Sequence, residues 1–314
     1  MKKRESDHEK NSTGAPLAYA PREDAFSLLV PSLNLLYFIG AFLFAVVLRH
    51  PIYTLVSLAA GTAYYLVLTG PRAAKVLTGL LAAFVVVAAL NPIFNTQGEH
   101  PLFSLFGRPY TLEALCYGVV TAGMFVAAML WFLCFERIMT GDKLTALLGR
   151  SLPALSLLLV MVLRLVPAVG RKANQITTAR SCIGLDQGTA LGPRLQSGMT
   201  VLSAMTSWFL EGSVVTADSM RARGYGSSPR TSFYRRKWKR RDKIVLSVLA
   251  ALMAFTVIGV LAGCARASFL PTLSIQPITG LSAGVLAAYA AWLLLPTALH
   301  LGEQMLWRIK VSRL

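Results

Sequence analysis

Six apolar runs long enough to cross a lipid bilayer leave this chain few folds to adopt. They cover residues 28–48, 52–68, 76–94, 112–135, 244–262 and 278–299, each near the ~17 to 25 residues that traverse a hydrocarbon core. Inside lipid the backbone must satisfy its own hydrogen bonds, so such runs predict helices. The breaks between the first four agree: RHP at 49–51, GPRAAK at 70–75 and FNTQGEHPLFSLFGRPYT at 94–111 carry proline and glycine, which end helices. The predicted fold is all-α, a polytopic membrane protein with about six transmembrane helices. Hydrophobic residues make up 55% of the chain and charged residues 14%, a balance that excludes an ordinary soluble domain.

Charge then orders the chain. Lys and Arg number 31 against 14 Asp and Glu, a net charge of +17, and the stretch from Glu136 to Lys243 alone holds 18 Lys and Arg against 6 Asp and Glu. The positive-inside rule places this stretch in the cytoplasm. The loops at 94–111 and 263–277 carry one arginine each, Arg108 and Arg266, and fall on the opposite side. Four regions follow: a polar tail at 1–27 that precedes the first apolar run and is expected to be cytoplasmic, a four-helix membrane region at 28–135, a basic cytoplasmic region at 136–243, and two further membrane helices with a basic tail at 244–314. Both termini are expected to be cytoplasmic, in a multi-pass protein of the cell membrane.

Two apolar segments inside the basic region, 152–167 and 201–215, bear on this count. If only one crossed, the polybasic run that follows would be exported, so both cross or neither does; the expectation is neither. In the second, Val201, Met205, Trp208, Gly212 and Val215 recur at helical spacing while Ser203, Ser207, Glu211 and Asp218 take another face. Such a helix packs one stripe and leaves the other wet.

Residues with catalytic or metal-binding chemistry are sparse. Cys116, Cys134, Cys182 and Cys264 form no C-x-x-C pair, and His8, His50, His100 and His300 are far apart, so neither zinc nor disulfides are expected. The chain holds no G-x-x-x-x-G-K-[ST] phosphate cradle. No enzymatic activity and no cofactor of its own are expected.

Within the basic region one short pattern occurs twice. Ala179-Arg180-Ser181 runs into Gly184, and Ala222-Arg223-Gly224 runs into Tyr225-Gly226. Glycine just past a helix is a common stop signal, and an arginine there complements the helix dipole for ~0.3 to 1 kcal/mol. A guanidinium flanked by residues too small to shield it can also enter a groove on another protein and hold a carboxylate through two parallel hydrogen bonds.

With these motifs in view, the chain resembles the transmembrane T component (EcfT family) of energy-coupling factor (ECF) transporters, bacterial importers of vitamins and trace metals. The resemblance covers about residues 49–242: His50-Pro51, NPIFNTQGEHPLF at 91–103, LPALSLLLVMVLRLVP with ARSCIGLD at 179–186, ADSMRARGYG at 217–226 and RTSFYRRKWKRRD at 230–242. It implies that region 136–243 forms coupling helices and that Arg180 and Arg223 each sit in a groove of one of two ATPase subunits. ATP and magnesium would be bound by those partners. It also implies a separate substrate-binding S component held by the membrane region.

The run RRKWKRRDK, with Arg235, Arg236, Lys237, Lys239, Arg240, Arg241 and Lys243, directly precedes an apolar run. That position makes it an anchor to anionic lipids at ~1 kcal/mol per charge, in preference to a nucleic-acid grip. Two other functions compete with the transporter subunit. An integral membrane enzyme would need a catalytic cluster at the interface, and a self-sufficient secondary transporter would show inverted repeats and broken midplane helices.

Overall fold

Proline opens three of the long helices, at Pro31, Pro51 and Pro153, where its missing N–H costs nothing and its fixed φ suits the first turn. The computed structural model describes residues 26–94, 101–105, 108–184, 191–226, 238–265, 267–268, 274–275 and 280–311. Contacts divide the chain into two units, residues 1–140 with 238–314, and residues 141–237.

The first unit contains α1 (Pro31–Val47), α2 (Pro51–Thr69), a 3-10 turn (Gly70–Arg72), α3 (Ala73–Phe94) and α4 (Leu112–Ile138). After the second unit it resumes with α8 (Arg240–Leu261) and α9 (Gly280–Val311). Two short antiparallel hairpins depart from the purely helical expectation: β1 (Pro101–Leu105) with β2 (Arg108–Thr111), and β3 (Ala267–Ser268) with β4 (Ser274–Ile275). Both occur in segments read from sequence as plain loops.

Side-chain contacts fix the helix directions in this unit. Phe38 meets Phe135 at 5.5 Å and Phe42 meets Phe132 at 6.3 Å, so α1 runs antiparallel to α4. A Cβ on Gly123 would touch Thr54, and one on Gly61 would touch Leu130, so α2 runs parallel to α4. Gly118 faces Asn91, whereas Gly123 faces Phe84, which turns α3 back along α4. Gly259 packs on Val285, and Arg241 pairs with Glu303 at 3.3 Å, so α8 and α9 are antiparallel. Tyr37 donates its hydroxyl to the Leu293 carbonyl at 3.0 Å and Phe44 stacks edge-on against Tyr289, setting α9 antiparallel to α1.

The core of this unit is aromatic. Tyr37, Tyr64, Trp131, Tyr289 and Trp292 are almost wholly buried, and the Trp131 indole N–H donates to Ser57 Oγ at 3.0 Å, which gives a buried polar atom its partner. Pro92 inside α3 has no N–H to return to the carbonyl of Ala88. Gly118 lets α4 approach that oxygen, where an added Cβ would lie only 2.9 Å away.

The outer surface of this unit is apolar, with Leu55, Leu81, Val85, Phe94, Ile258 and Leu261 exposed. A water-soluble protein rarely shows so much contiguous apolar surface. Among the described residues, five helical stretches are long and apolar enough to cross a membrane: Pro51–Phe94, Leu112–Ile138, Pro153–Cys182, Arg240–Leu261 and Gly280–Leu306. The first comprises both α2 and α3, and the 17-residue α1 is a shorter apolar helix. The protein is an α-helical, multi-pass membrane protein.

The second unit contains α5 (Gly141–Ser151), α6 (Pro153–Cys182) and α7 (Leu191–Ala222). The Ser156 hydroxyl donates to the Thr145 carbonyl at 2.9 Å, folding α5 back on α6. Arg180 reaches Ser197, and the Lys172 ammonium lies 5.8 Å from the centre of the Trp208 ring. Those two contacts make α6 and α7 an antiparallel pair. The segment at 152–167, expected to stay out of the membrane, is thus the first half of a 30-residue helix that continues through Pro167. By length and composition alone that helix could cross a bilayer.

Candidate docking arginines

Each Ala-Arg-small motif sits at the end of a long helix, and glycine makes both ends. Gly184 follows α6 with φ 74° and Gly224 follows α7 with φ 73°, left-handed conformations that side chains with a Cβ disfavour. Gly184 N–H donates to the Ser181 carbonyl at 3.1 Å. At the end of α7, Gly224 N–H donates to Arg221 O at 3.0 Å and Tyr225 N–H to Met220 O at 3.1 Å. That second pattern, with its reach back across the last turn, is a Schellman stop.

The two arginines are not placed alike. Arg180 lies inside the last turn of α6, which ends at Cys182, while Arg223 lies just past Ala222, the last residue of α7. Arg223 is exposed, and so are Ala222 and Gly224 beside it. Arg180 is half-buried between exposed Ala179 and Ser181. Its Nη2 donates to Ser197 Oγ at 3.3 Å, while its Nε is buried without a hydrogen-bond partner. Both guanidinium groups stand at the negative end of a helix dipole, and both retain planar N–H donors suited to a carboxylate.

Ser197 was not singled out in the sequence, although a signal for it exists. Ser197, Val201, Met205 and Trp208 are buried or half-buried on α7, together with Phe209 and Met220, so the stripe read from Val201 onward extends one turn further back. Its far end differs: Gly212 and Val215 are exposed.

Of the basic run, Arg235, Arg236 and Lys237 lie outside the described residues. Lys239, Arg240, Arg241 and Lys243 are exposed at the start of α8. Asp242 among them is buried and accepts the Lys239 backbone N–H at 3.0 Å, which caps the helix. His50 is buried immediately before α2, its ring 5.5 Å from that of Tyr53, and its Nδ1 has no hydrogen-bond partner. The described residues contain no group of three or more His, Cys, Asp or Glu that could hold a metal ion. No family model matches the chain, and no curated protein matches it.

Proposed function

We propose that the chain is the transmembrane coupling (T) component of an ECF-type ABC importer. In this role it transmits motion from two ATPase subunits to a substrate-binding S component that imports a vitamin or other micronutrient. The observation that carries the reading is the pair of helix ends: two long helices of one unit, each stopped by a left-handed glycine and each presenting an arginine between small, exposed neighbours. ATP binding closes the ATPase pair, the two tips move with it, and the membrane surface beneath the S component is reshaped.

The helix directions support a six-span arrangement in the cell membrane, with α1, α2, α3, α4, α8 and α9 as the spans. These helices alternate in direction, so the starts of α1, α3 and α8 share one end of their unit with the ends of α2, α4 and α9. That end carries Arg72, Lys75, Arg137, Lys239, Arg240, Arg241 and Lys243. Positive charge concentrates on the cytoplasmic side of membrane proteins, so this end faces the cytoplasm together with both termini. Residues 141–237, inserted between the fourth and fifth spans, are then the cytoplasmic coupling region. Gentle extraction and purification should retain two ABC-type ATPase subunits and an S component; a chain that purifies alone yet supports uptake would point to a secondary transporter.

A further inference from the structure

An apolar groove of about 360 Å³ opens on the outer surface of the first unit, between α1, α8 and α9. Its floor is the indole of Trp292, which is admitted there because Gly40 has no side chain: a Cβ at Gly40 would lie 2.8 Å from that ring. The depression itself comes from Ala250 and Ala254, two small exposed residues on α8, with Leu36, Met253 and Ile258 as its rims. From Leu249 to Ile258 the groove follows a ten-residue stretch of α8, ~14 Å along the helix axis. Half of a hydrocarbon core measures ~15 Å. A groove of this length fits one acyl chain of one leaflet.

The charge above the groove selects which lipid. Lys243, Ala250 and Ala254 are spaced seven and four residues apart on α8, so they share one face of the helix. Lys243 stands ~10 Å above Ala250 along the axis, within reach of the interfacial layer where a phosphate lies. Arg241 is paired with Glu303 and Asp242 turns back to cap its own helix. Lys239, Arg240 and Lys243 are exposed beside them. We infer that this groove is a binding site for an anionic glycerophospholipid, one acyl chain lying over Trp292 and the phosphate held by Lys243 and Arg240. The site is independent of ATPase docking and needs only the membrane location of α1, α8 and α9.

Native mass spectrometry of the full chain tests it, after reconstitution into vesicles of equal phosphatidylglycerol and phosphatidylcholine followed by mild extraction. The unaltered protein should retain phosphatidylglycerol over phosphatidylcholine by about fivefold or more, as expected from one or more interfacial cations. The combined change Lys239→Gln, Arg240→Gln and Lys243→Gln should remove the preference while a lipid still binds. Ala250→Leu with Ala254→Leu, which adds side chains to exposed positions, should fill the groove and abolish retention of the bound lipid. Undiminished phosphatidylglycerol retention in the filled variant would overturn the site, as would equal retention of the two lipids by the unaltered protein. A photoreactive side chain at Ala254 should form a lipid adduct; a polypeptide adduct there would show a partner helix in the groove and equally overturn it.

Discussion

The Arg180 guanidinium donates to the Ser197 hydroxyl at 3.3 Å, across 17 residues of chain, and ties the end of α6 to the start of α7. Arg223 at the end of α7 is exposed. If both arginines dock, the first must leave or share its internal partner while the second need not. Ser197→Ala should therefore strengthen retention of an ATPase subunit at the first motif. The gain is about 1 kcal/mol, the scale of one hydrogen bond, or roughly fivefold. Titration of the purified ATPase onto the Arg223→Ala background isolates that motif. Weaker binding in the serine variant would mean that Ser197 positions Arg180 for docking instead of restraining it.

Close packing in the membrane unit predicts a stability effect. Gly259 in α8 is buried against Val285, and a Cβ there would lie 2.7 Å from Val285 Cγ1. Val285 is itself buried and β-branched, so it has little freedom to yield. Gly259→Ala should destabilise the protein by ~1 to 3 kcal/mol, the usual range for overpacking. Gly284→Ala is the matched control, since nothing lies within 4 Å of its added Cβ and alanine is the better helix former by ~1 kcal/mol. Thermal unfolding in detergent should show the first variant falling and the second unchanged or rising.

Topology rests on where Cys182 is exposed. Its thiol lies at the surface in the last turn of α6, two residues from Arg180. A membrane-impermeant thiol reagent added to intact cells should leave it unlabelled, and permeabilised cells should label it. Labelling of intact cells that disappears in Cys182→Ser would place the end of α6 outside. In that case α6 and α7 would count as spans, and the six-span arrangement would fail.

Neutralising Arg235, Arg236, Arg240 and Arg241 together removes four charges from the run before the fifth proposed span. At ~1 kcal/mol per charge near an anionic surface, α8 and α9 should insert less well or reverse. Protease accessibility of the C-terminus in sealed vesicles reads this directly. Unchanged topology and unchanged uptake would show that the run is dispensable as an anchor.

The helix ends were legible in the sequence because glycine is nearly alone in tolerating positive φ: Gly184 and Gly224 stop α6 and α7 where the residues beside the motifs say they should. The apolar runs likewise became α1 to α4, α8 and α9, since lipid leaves the backbone no alternative to internal hydrogen bonds. Pro167 misled. It marks the end of an apolar segment, yet α6 passes through it and continues to Cys182, because a proline costs a helix one hydrogen bond and a local bend without always ending it. The Arg180–Ser197 contact was hidden for another reason: it joins two helices, and single-chain periodicity describes one helix at a time. The groove over Trp292 was equally out of reach, because it depends on Gly40 of α1 meeting Trp292 of α9, more than two hundred residues apart in the chain.

The docking proposal makes its sharpest demand on Arg180 and Arg223 themselves. If each guanidinium is buried against a carboxylate in an ATPase groove, truncating it leaves that carboxylate desolvated and unpaired, a loss of ~2 to 5 kcal/mol. Arg180→Ala and Arg223→Ala should then each impair uptake strongly while the membrane protein remains folded, and the double variant should lose both ATPase subunits during purification. Lysine at either position should rescue only in part, because an ammonium restores the charge without the planar fork. The competing account treats each arginine as a partner of its own helix dipole, worth ~0.3 to 1 kcal/mol, and predicts near-normal ATPase retention after either change. The structure sets an order between the two positions. Arg180 already spends one N–H on Ser197 and shields its Nε, whereas Arg223 is exposed and follows a rigid Schellman stop. Arg223→Ala should therefore be the more damaging single change. Normal co-purification and normal uptake in the double alanine variant would leave both arginines as helix-end charges and remove the basis for two docked ATPases.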